Sequence, residues 1–364
     1  MLDLDALCDA LSKLPDFAGI ARADLTRMNV KGLAHDHVAL SGRDQLLRVP
    51  KQSQFALSAD DNLAYQAACF ERVSRAGRAP RLHGVIQPSA EIPMGALLVD
   101  HIRGRPPRLP EDLPAFAESM ARVHALALPA PAERAPLADH QDPVAGALEE
   151  IEGQVLFLKD SAIEPTSRRE IEAELDWARA FAAEVAAGGE AQPHCLVLTD
   201  THPGNFLIDE TGHAIIVDLE KALYGSPGID LAHATVYSST TWDSDVWADL
   251  DLSQVAAFYH RYLEIITEAA GPAFARALKP WLLPMRRLLF LRAITWCVKW
   301  QVLQARERLN DKHAAQSTED WSADNSDPAL IAHVADRVRD YLRPATLKRM
   351  RGEWQGPNPL QDRI

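Results

Sequence analysis

Apolar residues fall at helical spacing at the start of the chain, where Leu2, Leu4, Leu7 and Leu11 share a face and predict a short amphipathic helix within residues 1–14. Between about residues 25 and 50 the period shortens. LTRMNVKG, HVALSG and QLLRVPK, separated by glycine-containing turns, read as strands. Helical spacing returns over residues 59–76 behind Ser58, a residue type suited to cap a first turn, and Gly77 and Pro80 end it. Gly84 and Pro88 break the chain again, and residues 95–100 (GALLVD) predict a further strand. The IRGRPP that follows has little helix or strand potential, which predicts a hinge at 101–106.

Beyond the hinge the pattern is mostly helical. Phe116, Met120, Val123 and Ala127 form one stripe over residues 111–127, as on a core-facing helix. Residues 129–143 read as a Pro/Ala/Asp-rich loop, and residues 145–187 as helical up to Gly188 and Gly189. One isolated β-hairpin then interrupts the helical half: residues 206–209, a turn at 210–213, and residues 214–218. The prediction is an α+β chain with a small, strand-rich lobe carrying one main helix (1–100) and a larger helical lobe (107–364).

Composition narrows the function. With 47% hydrophobic and 24% charged residues, 364 residues suffice for two folded cores. Asp plus Glu outnumber Lys plus Arg by 51 to 38, which argues against nucleic acid as a partner and favours a neutral or cationic ligand. Cys8, Cys69, Cys195 and Cys297 are scattered without CxxC or zinc spacing, as in a protein of a reducing compartment. The acidic start is unlike a secretory signal, and the most apolar stretch, residues 281–302, carries Arg286, Arg287, Arg292 and Lys299. The expectation is a cytoplasmic protein with no membrane partner.

Candidate chemistry concentrates in LVLTDTHPGNFLIDETGHAIIVDLEKALYGSPGID, residues 196–230. Asn205 precedes the first hairpin strand and Asp218 closes the second, so antiparallel pairing brings them to one end. Asp200, on the preceding loop, can face the same spot. An amide oxygen and a carboxylate are hard ligands suited to Mg²⁺. A further carboxylate, not committed to metal, can orient and deprotonate a hydroxyl.

These motifs resemble those of the aminoglycoside phosphotransferase/choline kinase family, small-molecule kinases that share the bilobal protein-kinase-like fold. Residues 200–205 (DTHPGN) resemble the family's D-x-x-x-x-N catalytic loop, residues 217–220 (VDLE) its I-D-[WFL]-[ED], and residues 225–232 (GSPGIDLA) its G-D-P-x-x-D-L-A. The resemblance implies Asp200 as catalytic base, Asn205 and Asp218 as Mg²⁺ ligands, Asp230 as a brace of the catalytic loop, and His202 as a loop-shaping residue. It also implies Arg48 as the phosphate-contacting cation on its strand, with Lys51 as the competitor, and Gly32 within a nucleotide-covering loop at 31–36. Val99, Asp100, His101 and Ile102 fall at the adenine-contacting hinge, through backbone groups. The similarity spans residues 25–235, including a first large-lobe helix at 116–128.

Two positions depart from the family pattern. Leu198 stands where His or Ser is usual, and Gln66 stands where a helix Glu usually pairs with the strand cation, with Glu71 on another face. Beyond residue 240 two groups are candidates for an acceptor site: Trp296 and Trp300, one turn apart on a stripe that reads first as core, and Trp242 with Asp243 and Asp245, followed by Trp247, Asp249 and Asp251. The basic run at 348–351 reads as a solvated helix face. The expected activity is ATP- and Mg²⁺-dependent phosphorylation of a hydroxyl on an amino sugar, amino alcohol, sugar or related metabolite. The alternative, which the two departures suggest, is a nucleotide- or ligand-binding regulatory pseudokinase.

Overall fold

A computed structural model of the chain describes residues 2–28, 34–188, 191–308 and 328–364. Helix α1 (Leu4–Leu11) is followed by β1 (Leu25–Arg27), β2 (His35–Leu40) and β3 (Gln45–Pro50), then α2 (Ala59–Val73), β4 (Leu82–Ile86) and β5 (Ala96–Asp100). The five strands form one sheet in the order β1-β2-β3-β5-β4, every neighbouring pair antiparallel. The loop predicted at 31–36 lies partly outside the described residues, Gly32 included, while His35 and Asp36 belong to β2.

The strand period of two decides which side chains serve which face. Leu47 and Val49 of β3 pack with Val38, Leu40, Ala96 and Leu98 against Leu7 and Leu11 of α1. Leu46 faces the other way, with Leu97, Val99 and the α2 residues Leu63, Phe70 and Val73. Arg48 shares the Leu46 face. Helix α2 is capped as predicted, Ser58 Oγ accepting from Asp61 N at 3.2 Å. β4 is a strand the sequence reading treated as broken chain. Gly84 sits where its register with β5 shifts, and a Cβ there would come 3.0 Å from Leu14, so a glycine suits the close packing.

The remainder is mostly helical: α3 (Leu113–His124), α4 (Pro143–Val155) and α5 (Pro165–Ala186) precede four short strands, β6 (Cys195–Val197), β7 (Phe206–Ile208), β8 (Ala214–Ile216) and β9 (Leu223–Gly225). Helices α6 (Pro227–His233), α7 (Tyr237–Thr240), α8 (Leu252–Ala270), α9 (Pro272–Leu278), α10 (Leu282–Arg308), α11 (Pro328–Tyr341) and α12 (Pro344–Gln355) complete the chain. The single helical stretch expected at 145–187 is two helices, because the chain turns after Val155 and restarts with Pro165 in the first turn of α5. The β7–β8 hairpin is present, but it is not isolated: β6 pairs with β9 in a second antiparallel ladder that encloses it in sequence.

Helix α10 runs through the core of this half, and its first two arginines are paired. Arg286 donates to Glu353 of α12 at 2.6 Å, and Arg287 to Glu174 of α5 at 2.5 Å. Among the described residues no helix is long and apolar enough to cross a membrane. The run at 348–351 is solvated in part: Lys348 and Arg349 are exposed, the latter paired with Asp249, while Met350 is buried and Arg351 pairs with Glu174.

Candidate active site

Hairpin register builds the first part of the site. Phe206 pairs with Ile216, and Val217 N donates to Asn205 O at 3.0 Å, which sets Asn205 beside the end of β8 where Asp218 follows. Phe116 of α3 stacks on Phe206 at 4.0 Å between ring centroids and anchors this end of the hairpin to the core. Asn205 Nδ2 donates to Asp200 O at 2.9 Å, so the amide's oxygen is left for another partner.

The Asp200 loop is held from below. Asp230, fully buried on α6, accepts from Leu198 N at 2.8 Å and from Thr199 N at 2.7 Å. Thr199 takes a left-handed conformation (φ 60°), which these bonds maintain against its steric cost. Leu198 contributes only packing and its N–H. The imidazole absent from its position comes from α3: His124 Nε2 reaches Asp230 Oδ2 at 3.0 Å, and its other ring nitrogen meets Tyr262 at 2.8 Å. His202 shapes the loop, its Nδ1 accepting from Gly204 N at 3.2 Å. A Cβ at Gly204 would lie 2.7 Å from the Asp243 carboxylate and 2.9 Å from the His202 ring, so only glycine lets the three meet.

Asp200 has a counter-ion that the sequence reading missed. Lys221 Nζ donates to Asp200 Oδ2 at 2.9 Å, and Lys221 O accepts from Thr199 Oγ1 at 2.9 Å. Burial alone raises the Asp200 carboxyl, but the charge of Lys221 above all outweighs it and holds the group well below the ordinary carboxylate range. Asp200 therefore stays ionised. His233 Nδ1 lies 3.7 Å from Asp200 Oδ1, and burial lowers that imidazole to about 3, so it is neutral near pH 7.

Arg48 forms the other side. Its Nη2 donates to Asp218, and to Glu220 Oε2 at 2.7 Å. Lys51, three residues on, is on the opposite face and meets Asp36 at 3.5 Å, so the strand cation of the site is Arg48. Gln66 does not reach Arg48. It contacts His35 Nε2 at 3.3 Å, and the anion beside Arg48 comes instead from the VDLE segment, as Glu220. Burial pushes Asp218 above its ordinary value, with Glu220 adding to the rise against the pull of Arg48. His35 and Arg48 outweigh burial at Glu220 and hold its carboxyl far below the usual range.

A cavity of about 1780 Å³ joins these groups. Arg48, Val99, Asp100, His101, Ile102, Asp200, His202, Asn205, Asp218 and Lys221 line one part, and Trp242, Asp243, Asp245, Arg292, Trp296 and His333 another. The Asp100 carboxylate is engaged by Arg81 N at 2.9 Å and His83 Nε2 at 2.6 Å, so it is not free to take a ligand. Trp242 and Trp296 meet edge to face, 5.8 Å apart at 78°. Trp300 does not join them. It borders a separate small cavity with Ala335 and Val338 of α11. Asp249 is paired with Arg349, and Asp251 caps α8, so neither belongs to the aromatic wall.

Residues 32–278 match the sequence profile of the phosphotransferase enzyme family. The chain belongs to that family. Among solved structures it is similar to a choline/ethanolamine kinase family protein from Mesorhizobium loti (TM-score 0.51, 18% identity, 92% of this chain and 99% of that one). It is also similar to choline kinase from Cryptosporidium parvum (0.53, 12%, 97% and 99%) and to the GDP complex of aminoglycoside 2'-phosphotransferase-IIIa (0.53, 14%, 93% and 99%). No curated protein sequence matches the chain. The fold is protein-kinase-like, and the family is one of phosphotransferases.

The residues of the phosphotransferase that sequence reasoning missed are Lys221, Glu220, His35 and His124. Glu220 and Lys221 had a visible signal, since they directly follow Asp218-Leu219. His35 and His124 had none, because their roles depend on which buried carboxylates the fold brings to them.

Proposed function

We propose that this phosphotransferase moves the γ-phosphoryl group of ATP, with Mg²⁺, to a hydroxyl of a small molecule: an amino sugar, amino alcohol, sugar or related metabolite. The observation that carries the reading is the convergence of Asp200, Asn205, Asp218 and Arg48 on one cavity that also has an aromatic and acidic wall. In this reading residues 1–100 form the nucleotide lobe, 101–106 the hinge and 107–364 the lobe of catalytic loop and acceptor pocket. Within Val99, Asp100, His101 and Ile102, Asp100 N already donates to Arg81 O at 3.1 Å and His101 N to Asp44 O at 2.8 Å, so in this reading the adenine meets the other backbone groups of the segment. A cytoplasmic setting suits the four buried, unbridged thiols.

The donor set fits the metal. Asn205 has its amide N–H groups turned to Asp200 O, and Asp218 supplies a carboxylate; both are hard oxygen ligands. When bound there, Mg²⁺ supplies charge neutralisation at the nucleotide's phosphates. Asp200 Oδ1, the oxygen not taken by Lys221, accepts the acceptor's hydroxyl proton as the new O–P bond forms and the bond from γ-phosphorus to the β–γ bridging oxygen breaks, releasing ADP. Arg48 steadies phosphate oxygens, and Lys221 keeps Asp200 ionised and aimed. Trp242 and Trp296, with Asp243 and Asp245 beside them, suit an acceptor carrying a positive charge.

The test is ADP formation by the purified chain against a panel of amino sugars, amino alcohols, sugars and hydroxylated metabolites, with ATP and with GTP. Turnover that depends on a divalent cation, and falls about 10²-fold or more in Asp200→Asn while nucleotide still raises its Tm, supports the reading. Unchanged turnover in Asp200→Asn overturns the assignment of the base. Nucleotide-induced stabilisation without transfer to any acceptor would instead support the regulatory alternative.

A further inference from the structure

Among the described residues Arg48 is gripped by one nitrogen. Nη2 carries the contacts to Asp218, Glu220 and His35 Nδ1, the last at 3.1 Å, and Nε is buried without a partner. His35 is itself 3% exposed and closes a triangle, its Nε2 lying 2.8 Å from Glu220 Oε2 and 3.3 Å from Gln66 Oε1. Nε2 faces two acceptors and so carries the proton, which leaves Nδ1 with the lone pair that accepts from Arg48. One imidazole on β2 thus links the strand cation on β3, the helix residue on α2 and the carboxylate that follows Asp218.

We propose that His35 is the positioning residue of the nucleotide site, orienting Arg48 and Glu220 in place of the carboxylate that α2 lacks. The inference rests on the phosphotransferase reading of Arg48 as a phosphate contact. Gln66 is too short of charge to fix a guanidinium, and a neutral amide there gives a weaker hydrogen bond than an ion pair. His35 makes good the difference by bonding both members of the Arg48–Glu220 pair at once, which limits rotation of the guanidinium. Arg48 Nη1, which has no hydrogen-bond partner among the described residues, is then held at a set angle to the cavity. An acceptor molecule meets Asp200 and the Trp242–Trp296 wall, and none of that depends on His35.

The experiment compares the intact chain with His35→Ala, His35→Gln and His35→Ala/Gln66→Glu, measuring nucleotide KM, acceptor KM, kcat and the Tm rise given by ADP. His35→Ala is expected to raise nucleotide KM about tenfold or more and to lose most of the ADP-induced Tm rise, with acceptor KM unchanged. His35→Gln retains a donor to Glu220 and recovers part of the loss. The double variant, which supplies a carboxylate from α2, recovers more. Nucleotide KM and the Tm rise within twofold of the parent in His35→Ala overturn the proposal, as does a parallel rise of both KM values. If His35→Ala does not fold, equal ADP binding by His35→Gln and the parent, with no change from adding Gln66→Glu, also overturns it. Failure of the parent itself to bind nucleotide is a different result, and it removes the functional reading instead.

Discussion

Lys221 Nζ stands 2.9 Å from Asp200 Oδ2, while the Lys221 carbonyl holds the side chain of Thr199, the residue just before that carboxylate. The same lysine therefore fixes the charge of the proposed base and the shape of its loop. Lys221→Met is expected to lower kcat about tenfold or more. It should also move the acidic limb of kcat/KM upward, because Lys221 is the strongest charge holding the Asp200 carboxyl below its ordinary range. A pH profile of the variant checks this. An acidic limb at the parent's position would show that Lys221 does not set the ionisation of Asp200.

Asp230 satisfies Leu198 N, Thr199 N and His124 in a site with no solvent access. Asp230→Ala strands all three and releases the strained Thr199 backbone, so a loss of about 3 kcal/mol or more of unfolding free energy is expected. Urea denaturation measures it. His124→Phe should cost less, since it leaves both backbone donors with their partner; an equal or larger loss would mean the imidazole, not the loop, dominates the network.

His37 and His233 both stay neutral down to about 3, chiefly because they are buried. In the unfolded chain each takes up a proton near its ordinary value of 6.5. Between those limits the unfolded state binds more protons, so stability falls as pH drops from 6.5 towards 3, by up to about 1.4 kcal/mol per pH unit for each group. Asp200 adds a loss at lower pH still, since a depressed carboxyl contributes its stability above the ordinary range and surrenders it only as pH falls through the folded value. Urea midpoints at pH 7, 6 and 5 should decline in order, and a flat series would contradict the buried, neutral state of both imidazoles.

Trp296 lines the cavity and Trp300 does not. Trp296→Ala is therefore expected to raise acceptor KM about tenfold with nucleotide KM unchanged, by loss of a ring that bounds the acceptor space. Trp300→Ala should lower Tm through lost packing against α11 and leave acceptor KM within twofold. Steady-state kinetics on both variants decides the matter, and matching acceptor defects would place the two rings in one site after all.

Much of the site was legible in the order of residues because it is local. Asp200, Asn205 and Asp218 lie within 19 residues of one another, and strand alternation with hairpin pairing is enough to aim them at one point. Alternation also separates Arg48 from Lys51, once the register of β3 is known. β4 was missed because the glycine that lets it pack on Leu14 is, taken alone, a chain breaker.

By itself, then, the sequence determined the α+β class, the catalytic-loop motifs and the family resemblance, all of which rest on short-range spacing. The tertiary structure decided the partners of buried charge. Arg48 meets Glu220 across 172 residues, Asp230 meets His124 across 106, and Arg286 meets Glu353 across 67. Spacing cannot foretell such pairs, because a buried charge is stabilised by whichever opposite group the packing of distant elements delivers to it, and the loss of one expected partner, as at Gln66, is made good from another part of the fold.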